Sequence, residues 1–356
     1  MQRVAKVHAA KSRGFSRLLN RVDRRGIASI AEILLLGIVA SIVWLGIRII
    51  LAPIHESDSK ESASSPILSL SVISDGRKIL ARRGLSDVVT FDLEQGGIQS
   101  IFNWNGRPLQ GVRASQRGEI CLLSIEDREL LLFRGSELLR TETLTAKSSV
   151  QLAVSLNGQA AMRVVDGLIV RRWDLSGDEI AETDYSFVEA VDRIALDFAG
   201  NRILVSTTRG ALHLCDAKTG VIVQTLEGDV YPRADPVFSR DGSCVVVPSN
   251  RSVILYELPS GSPSWSVQFN DQDDRDWLTS VTISPNGHWV AACGIACPIS
   301  VVSRASGRVL RRFSKNRTSG VAFSSASDAV YFGSLDGSVG QFSLADGRMV
   351  MLAKAD

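Results

Sequence analysis

A turn ending in glycine, set after a short apolar run, returns at a nearly constant interval along most of this chain of 356 residues. It closes "SVISDG" at Gly76, "RASQRG" at Gly118, "AVSLNG" at Gly158, "ALDFAG" at Gly200, "VFSRDG" at Gly242 and "TISPNG" at Gly287, and serine replaces the glycine of "AFSSAS" at Ser327. The steps are 42, 40, 42, 42, 45 and 40 residues. A second series keeps the same time: "TFDLEQG", "LFRGSE", "RWDLSG", "LCDAKTG", "LYELPSG", "VVSRASG" and "QFSLADG". Its marker position holds Asp92, Arg134, Asp174, Asp216, Glu257, Ser303 and Ser343. Two independent markers with one period define a repeat architecture, and the seven copies leave no block over for a second domain.

Each copy divides into four short runs. The fourth reads "DRIALDF", turn "AGN", "RILVSTT", turn "RG", "ALHLCD", turn "AKTG", "VIVQTLE". Apolar alternation, β-branched residues and Gly/Asn/Asp breaks are strand and hairpin signals. Four antiparallel strands in some 42 residues make one propeller blade. The expected fold is therefore all-β: a seven-bladed β-propeller of four-stranded antiparallel blades over residues 67–356, preceded by one transmembrane α-helix. Each repeat keeps its four strands in order, so the ring is expected to close by packing of its first and last blades. A strand lent by residues 56–66 is the alternative.

The turns "SPNG", "SRDG" and "SDG", the x-Asp-x-x-x-Gly ends and the pair Trp173-Asp174 resemble the WD-repeat β-propeller family across nearly all of residues 67–356. Members carry a buried His–Asp–Ser/Thr–Trp hydrogen-bond network. Here Trp173 and Asp166 suit two of its positions and no histidine suits a third, so the resemblance is to a degenerate member, with a seven-bladed propeller of quinoprotein type as the alternative. The resemblance implies a binding platform, and it makes Asp92, Trp173, Asp174, Asp216 and Glu257 structural signature positions of the repeat.

The N-terminus is different in kind. Residues 1–26 carry eight Lys or Arg against one acid, Asp23, and precede "IASIAEILLLGIVASIVWLGIRIILAPI" at residues 27–54. From Ile27 to Ile47 the one ionised side chain is Glu32, near the end of the run, while Arg48 and Trp44 suit the far interface. The run is apolar all round and longer than the core of a signal peptide, which predicts a single-pass transmembrane helix. The basic flank places residues 1–26 in the cytoplasm and the propeller outside it, in the periplasm if two membranes are present. Residues 55–66, "HESDSKESASSP", read as a flexible linker. From residue 65 onward the formal charge is about −3, so no nucleic-acid partner is expected.

Catalytic and metal-binding patterns are sparse. The four histidines are unpaired in sequence, and no Gly-x-Ser-x-Gly elbow or phosphate-cradling loop occurs. Five cysteines cannot all pair within one chain, and only Cys293 and Cys297 have local spacing for a bridge, with two reduced thiols as the alternative. The run "NDQDDRD" has Asp276 where a calcium loop of EF-hand type needs glycine, and it reads as a solvated acidic loop. No metal, cofactor or catalysis is expected.

The loops that join successive blades carry the side chains suited to a protein interface: Trp104, Tyr185, Tyr231, Arg233, Asp273, Asp274 and Trp277. The expected function is a membrane-anchored interaction scaffold that takes a protein or peptide partner on its loop face. The alternatives are an extracytoplasmic propeller enzyme, quinoprotein-like, or the sensor module of a signalling complex. Ionisable side chains and an aromatic converging on one mouth of the central channel would favour the enzyme.

Overall fold

The four runs of each repeat form four strands, and the 28 strands pair into seven four-stranded sheets, each built from consecutive strands in antiparallel order. The chain is a seven-bladed β-propeller. The computed structural model describes residues 65–353, apart from 96, 104–107, 126–128, 145–150, 250–251, 270–276 and 314–316. Segments 1–26 and 27–54 and most of the linker lie outside the described residues, among which no helix is long and apolar enough to cross a membrane.

Alternation along each strand explains why the sheets form a ring. In the second strand of blade 4, Arg202–Thr207, Ile203 and Val205 pack toward blade 3, while Leu204 between them packs toward blade 5. Apolar side chains on both faces oblige every sheet to find a neighbour on each side. Seven apolar clusters result, one in each gap between successive blades. Fully buried Trp173 fills the gap between blades 2 and 3 against Ile120, Leu130, Leu132 and Leu152.

In blades 2 to 7 the turn from the first to the second strand follows one recipe. Its leading serine hydroxyl accepts the N–H five residues on, at 3.1 Å for Ser115, 2.9 Å for Ser155, 3.0 Å for Ser239, 2.9 Å for Ser284 and 3.1 Å for Ser324. Asp197 replaces serine in blade 4 and accepts from Asn201 N–H at 2.8 Å. The periodic glycine adopts left-handed backbone here, with φ of 75° at Gly158 and 73° at Gly200 and Gly287, which is why glycine recurs at this place. These turns touch around the ring: Gln116 N–H donates to Leu156 O at 2.8 Å, and Asn157 N–H to Phe198 O at 3.1 Å.

The opposite end gathers the turns between second and third strands and the segments that join blades. Described joining segments bond back to the blade they leave, as in Val191 N–H to Gly167 O at 2.6 Å, Val230 N–H to Gly210 O at 2.8 Å and Arg317 N–H to Ile295 O at 2.7 Å. This end is the loop face.

Among the described residues, the seam between blades 7 and 1 closes by packing, with no strand exchanged. Ile67 and Leu70 meet Ala322, Tyr331 and Val339, and the Ser319 hydroxyl donates to Ile67 O. Glycine makes the fit. A Cβ at Gly333 would lie 2.4 Å from Ile67 Cγ2 and 2.9 Å from Leu70 Cδ2. Gly333→Ala is expected to overpack the seam and destabilise the propeller by about 1–3 kcal/mol. Gly177→Ala, which would meet only one atom within 4 Å, should stay within about 0.5 kcal/mol of wild type. Denaturant melts of the two variants check this, and equal midpoints would show that the seam is not tightly packed.

Candidate functional site

The repeat-signature residues are turn and core chemistry. Asp174 Oδ1 accepts Ser176 N–H at 3.0 Å and the Ser176 hydroxyl at 2.6 Å, and Oδ2 accepts from Arg172 Nη1 at 2.9 Å. Asp216 accepts Lys218 and Thr219 N–H at 3.0 and 2.8 Å, and Asp92 accepts those of Glu94 and Gln95 at 3.0 and 2.9 Å. Glu257 receives Arg304 Nη2 at 3.4 Å. Trp173 Nε1 is buried without a hydrogen-bond partner, so the four-residue network of the WD-repeat family is not assembled around it.

The loop residues divide. Trp104, Asp273 and Asp274 lie outside the described residues. Tyr185 is not a loop residue at all: it belongs to the fourth strand of blade 3, Ala181–Ser186, and is buried. Its hydroxyl donates to Ala217 O and Lys218 O, each at 2.9 Å, and its ring covers Gly220, so it clips blade 3 to blade 4. Tyr231 and Trp277 do sit on the loop face, 50% and 47% exposed. Tyr231 is held in place by a bond from its hydroxyl to Arg209 O at 3.1 Å and by contact with Gly210. Arg233 lines the central channel. Cys293 and Cys297 are not joined in a disulfide; both are fully buried, and burial pushes the Cys293 pKa up to about 12. The bridge considered from their spacing is not formed.

The channel holds what sequence reading did not foresee. Its cavity of about 520 Å³ is lined by the first strands of all seven blades: Ile67–Ile73, Leu109–Ala114, Leu152–Val154, Val191–Leu196, Val237–Phe238, Leu278–Ile283 and Thr318–Phe323. Five of these strands carry a bulge at the same place near the loop face, between Ile67 and Ser69, Leu109 and Gly111, Val191 and Arg193, Leu278 and Ser280, and Thr318 and Gly320. Bulges break regular alternation and re-aim side chains. Here Leu68 with Ser69, Gln110 with Gly111, Thr279 with Ser280 and Ser319 with Gly320 all line the lumen.

Among the described residues the ionisable lining is almost entirely basic: Arg82, Arg113, Arg193, Arg233 and Arg240 face one acid, Asp235. Arg113 of blade 2 reaches across the lumen to Asp235, next to the first strand of blade 5, passing over blades 3 and 4. Arg193 Nη1 is shared between Asp235 Oδ1 at 3.4 Å and Gln151 Oε1 at 3.3 Å. Arg82 donates through Nη1 to the carbonyls of Leu109 at 2.8 Å and Gln110 at 2.5 Å. Burial and then the nearby Arg113 charge lower the Arg82 pKa. At the far mouth, the Arg240 guanidinium lies 5.1 Å over the Phe198 ring. Among the described residues no three His, Cys, Asp or Glu side chains gather as a metal site would need.

One consequence of the turn chemistry is measurable. The Ser176 hydroxyl first, then the Ser176 N–H and Arg172 against an opposing effect of burial, bring the Asp174 pKa from 3.8 to about 2. A carboxyl depressed in the folded state stabilises fully above its unfolded pKa and loses that contribution as pH falls toward its folded value. Asp174→Asn should therefore flatten the stability profile between pH 4 and about 2 and leave its slope near neutrality unchanged. Denaturant melts across that range check it, and an unchanged acid limb would count against the turn assignment.

Compared with models of known protein families, and with curated proteins, the chain matches none.

Proposed function

We propose that this protein is a membrane-anchored, degenerate WD-repeat-like propeller that binds a protein or peptide partner on its loop face. The observation that carries this reading is the placement of exposed apolar side chains. Leu85 and Leu168 stand in turns between second and third strands, and Val188, Tyr231 and Trp277 stand in blade-joining segments. All five belong to one end of the ring. Apolar groups of this size held in water on a rigid frame are the usual anchors of an interface. The turns of the opposite face contribute Leu156 and Val221. The degenerate WD-repeat reading rests on the x-Asp-x-x-x-Gly turns and the repeat period, and the membrane anchor on the apolar run 27–54 with its basic flank.

The channel supports binding more than catalysis. Arginine keeps its proton throughout the working pH range, so a lumen lined chiefly with guanidiniums can hold and orient an anion but lacks a proton-transfer pair.

Crosslinking and affinity capture from intact membranes, repeated with Tyr231→Ala and Trp277→Ala, test the loop face. Hot-spot aromatics lose about 2 kcal/mol or more on truncation, so captured partner should fall on the order of thirtyfold for each variant that still melts as wild type does. Capture unchanged by both substitutions and by exchange of all blade-joining segments would overturn the reading. For topology, protease added outside sealed spheroplasts is expected to digest or release the propeller. Accessibility of residues 1–26 alone would reverse the orientation.

A further inference from the structure

Four charged side chains from four blades meet at the loop-face end of the channel: Arg82 of blade 1, Arg113 of blade 2, Arg193 of blade 4 and Asp235 at blade 5. Among the described residues, three guanidiniums against one carboxylate leave two positive charges unbalanced inside the ring. Like charges gathered this closely favour a counter-anion between them, and arginine cannot relieve the excess by releasing its proton. The hydrogen bonds show a matching excess of donors. Arg82 donates only through Nη1, to backbone carbonyls, and its Nε is buried without a partner. Arg193 likewise donates only through Nη1, with two long contacts, and its Nε is buried without a partner. Among the described residues, neither guanidinium therefore has an acceptor on its Nε–Nη2 edge, the planar pair of donors that fits a carboxylate or phosphate.

We propose that this end of the channel is a binding site for a small oxyanion ligand carrying two negative charges, a dicarboxylate or a phosphate group. Asp235 marks the geometry, since its carboxylate already joins Arg113 to Arg193 and shows that an oxyanion is accepted between them. A ligand competes with Asp235 for those two arginines and adds Arg82 as a third donor. Room is available: the cavity of about 520 Å³ falls within the roughly 300–1,000 Å³ of small-molecule sites. Ser69, Gly111, Ser280 and Gly320, small at the same level of four inner strands, keep the lumen open. The site is separate from docking on the loop face and does not depend on it.

Isothermal titration calorimetry on the full-length chain in non-ionic detergent at low ionic strength tests the proposal. The probes are succinate, citrate and inorganic phosphate at pH 8, with acetate as the monovalent control. Saturable binding of at least one multivalent anion is expected, with acetate on the order of tenfold weaker, and the ranking of succinate against phosphate identifies the preferred oxyanion. Arg82→Gln and Arg193→Gln should each weaken binding on the order of tenfold or more, and Arg193→Lys, which keeps the charge but not the fork, should fall between. Asp235→Asn should bind more tightly than wild type, a sign that general structural damage would not produce. Arg209→Gln, on an exposed loop, should bind as wild type does. No saturable binding to wild type, wild-type affinity in both channel glutamine variants, or an equal loss in Arg209→Gln would overturn the proposal. If the glutamine variants fail to fold, the wild-type preference for multivalent anions over acetate decides it.

Discussion

A β-sheet with apolar side chains on both faces cannot stand alone in water, and every blade of this protein is such a sheet. Second strands such as Cys244–Pro248 are buried at every residue, so each blade must be covered on two sides. A row of sheets satisfies that need everywhere but at its ends, and only a ring removes the ends. The seven separate cores between blades, in place of one central core, follow directly, and so does the open lumen. The innermost strands converge on an axis that small and polar residues leave unfilled.

The two ends of the ring then diverge. On one, serine-led turns bond to themselves and to the next blade, and the surface they present is tied down residue by residue. On the other, longer segments tie back to their own blades and project Leu85, Val188, Tyr231 and Trp277 into water. The bulges fall near this second end. The same end that exposes apolar side chains thus also holds the irregular backbone and the charged mouth of the channel.

The fold was legible because turn chemistry is narrow: the left-handed position holds glycine in six copies and serine, at φ 62°, in the seventh, so the period survives in letters. Tyr185 was misread for a physical reason. Fourth strands form the rim, and Ala181–Ser186 is exposed at all positions but Tyr185, so "AETDYS" lacks the apolar alternation that marks a strand. Arg82, Arg113, Arg193 and Asp235 carry no mark as a group in the sequence because they become neighbours only when the ring closes. A signal for the axis does exist. Counting seven residues back from each periodic turn residue gives Ser69, Gly111, Gln151, Arg193, Asp235, Ser280 and Gly320, a column without one apolar side chain larger than glycine. In a repeat whose neighbouring columns hold Leu70, Val112, Ile194 and Val281, that column marks the axis. The inner bulges left no comparable trace in the residue pattern.

Closure by packing alone has a mechanical meaning. In a ring fastened by an exchanged strand, tension on the chain end shears a ladder of backbone hydrogen bonds that must fail together. Here a pull delivered through residue 65 meets first the bond from Gly84 N–H to Pro66 O, inside blade 1, while across the seam the resistance among the described residues is apolar packing, with Ile67 seated over Gly333, and a hydroxyl bond from Ser319. Under load the seam is a zipper's open end: blade 1 can peel from blade 7 contact by contact while the other six gaps stay shut.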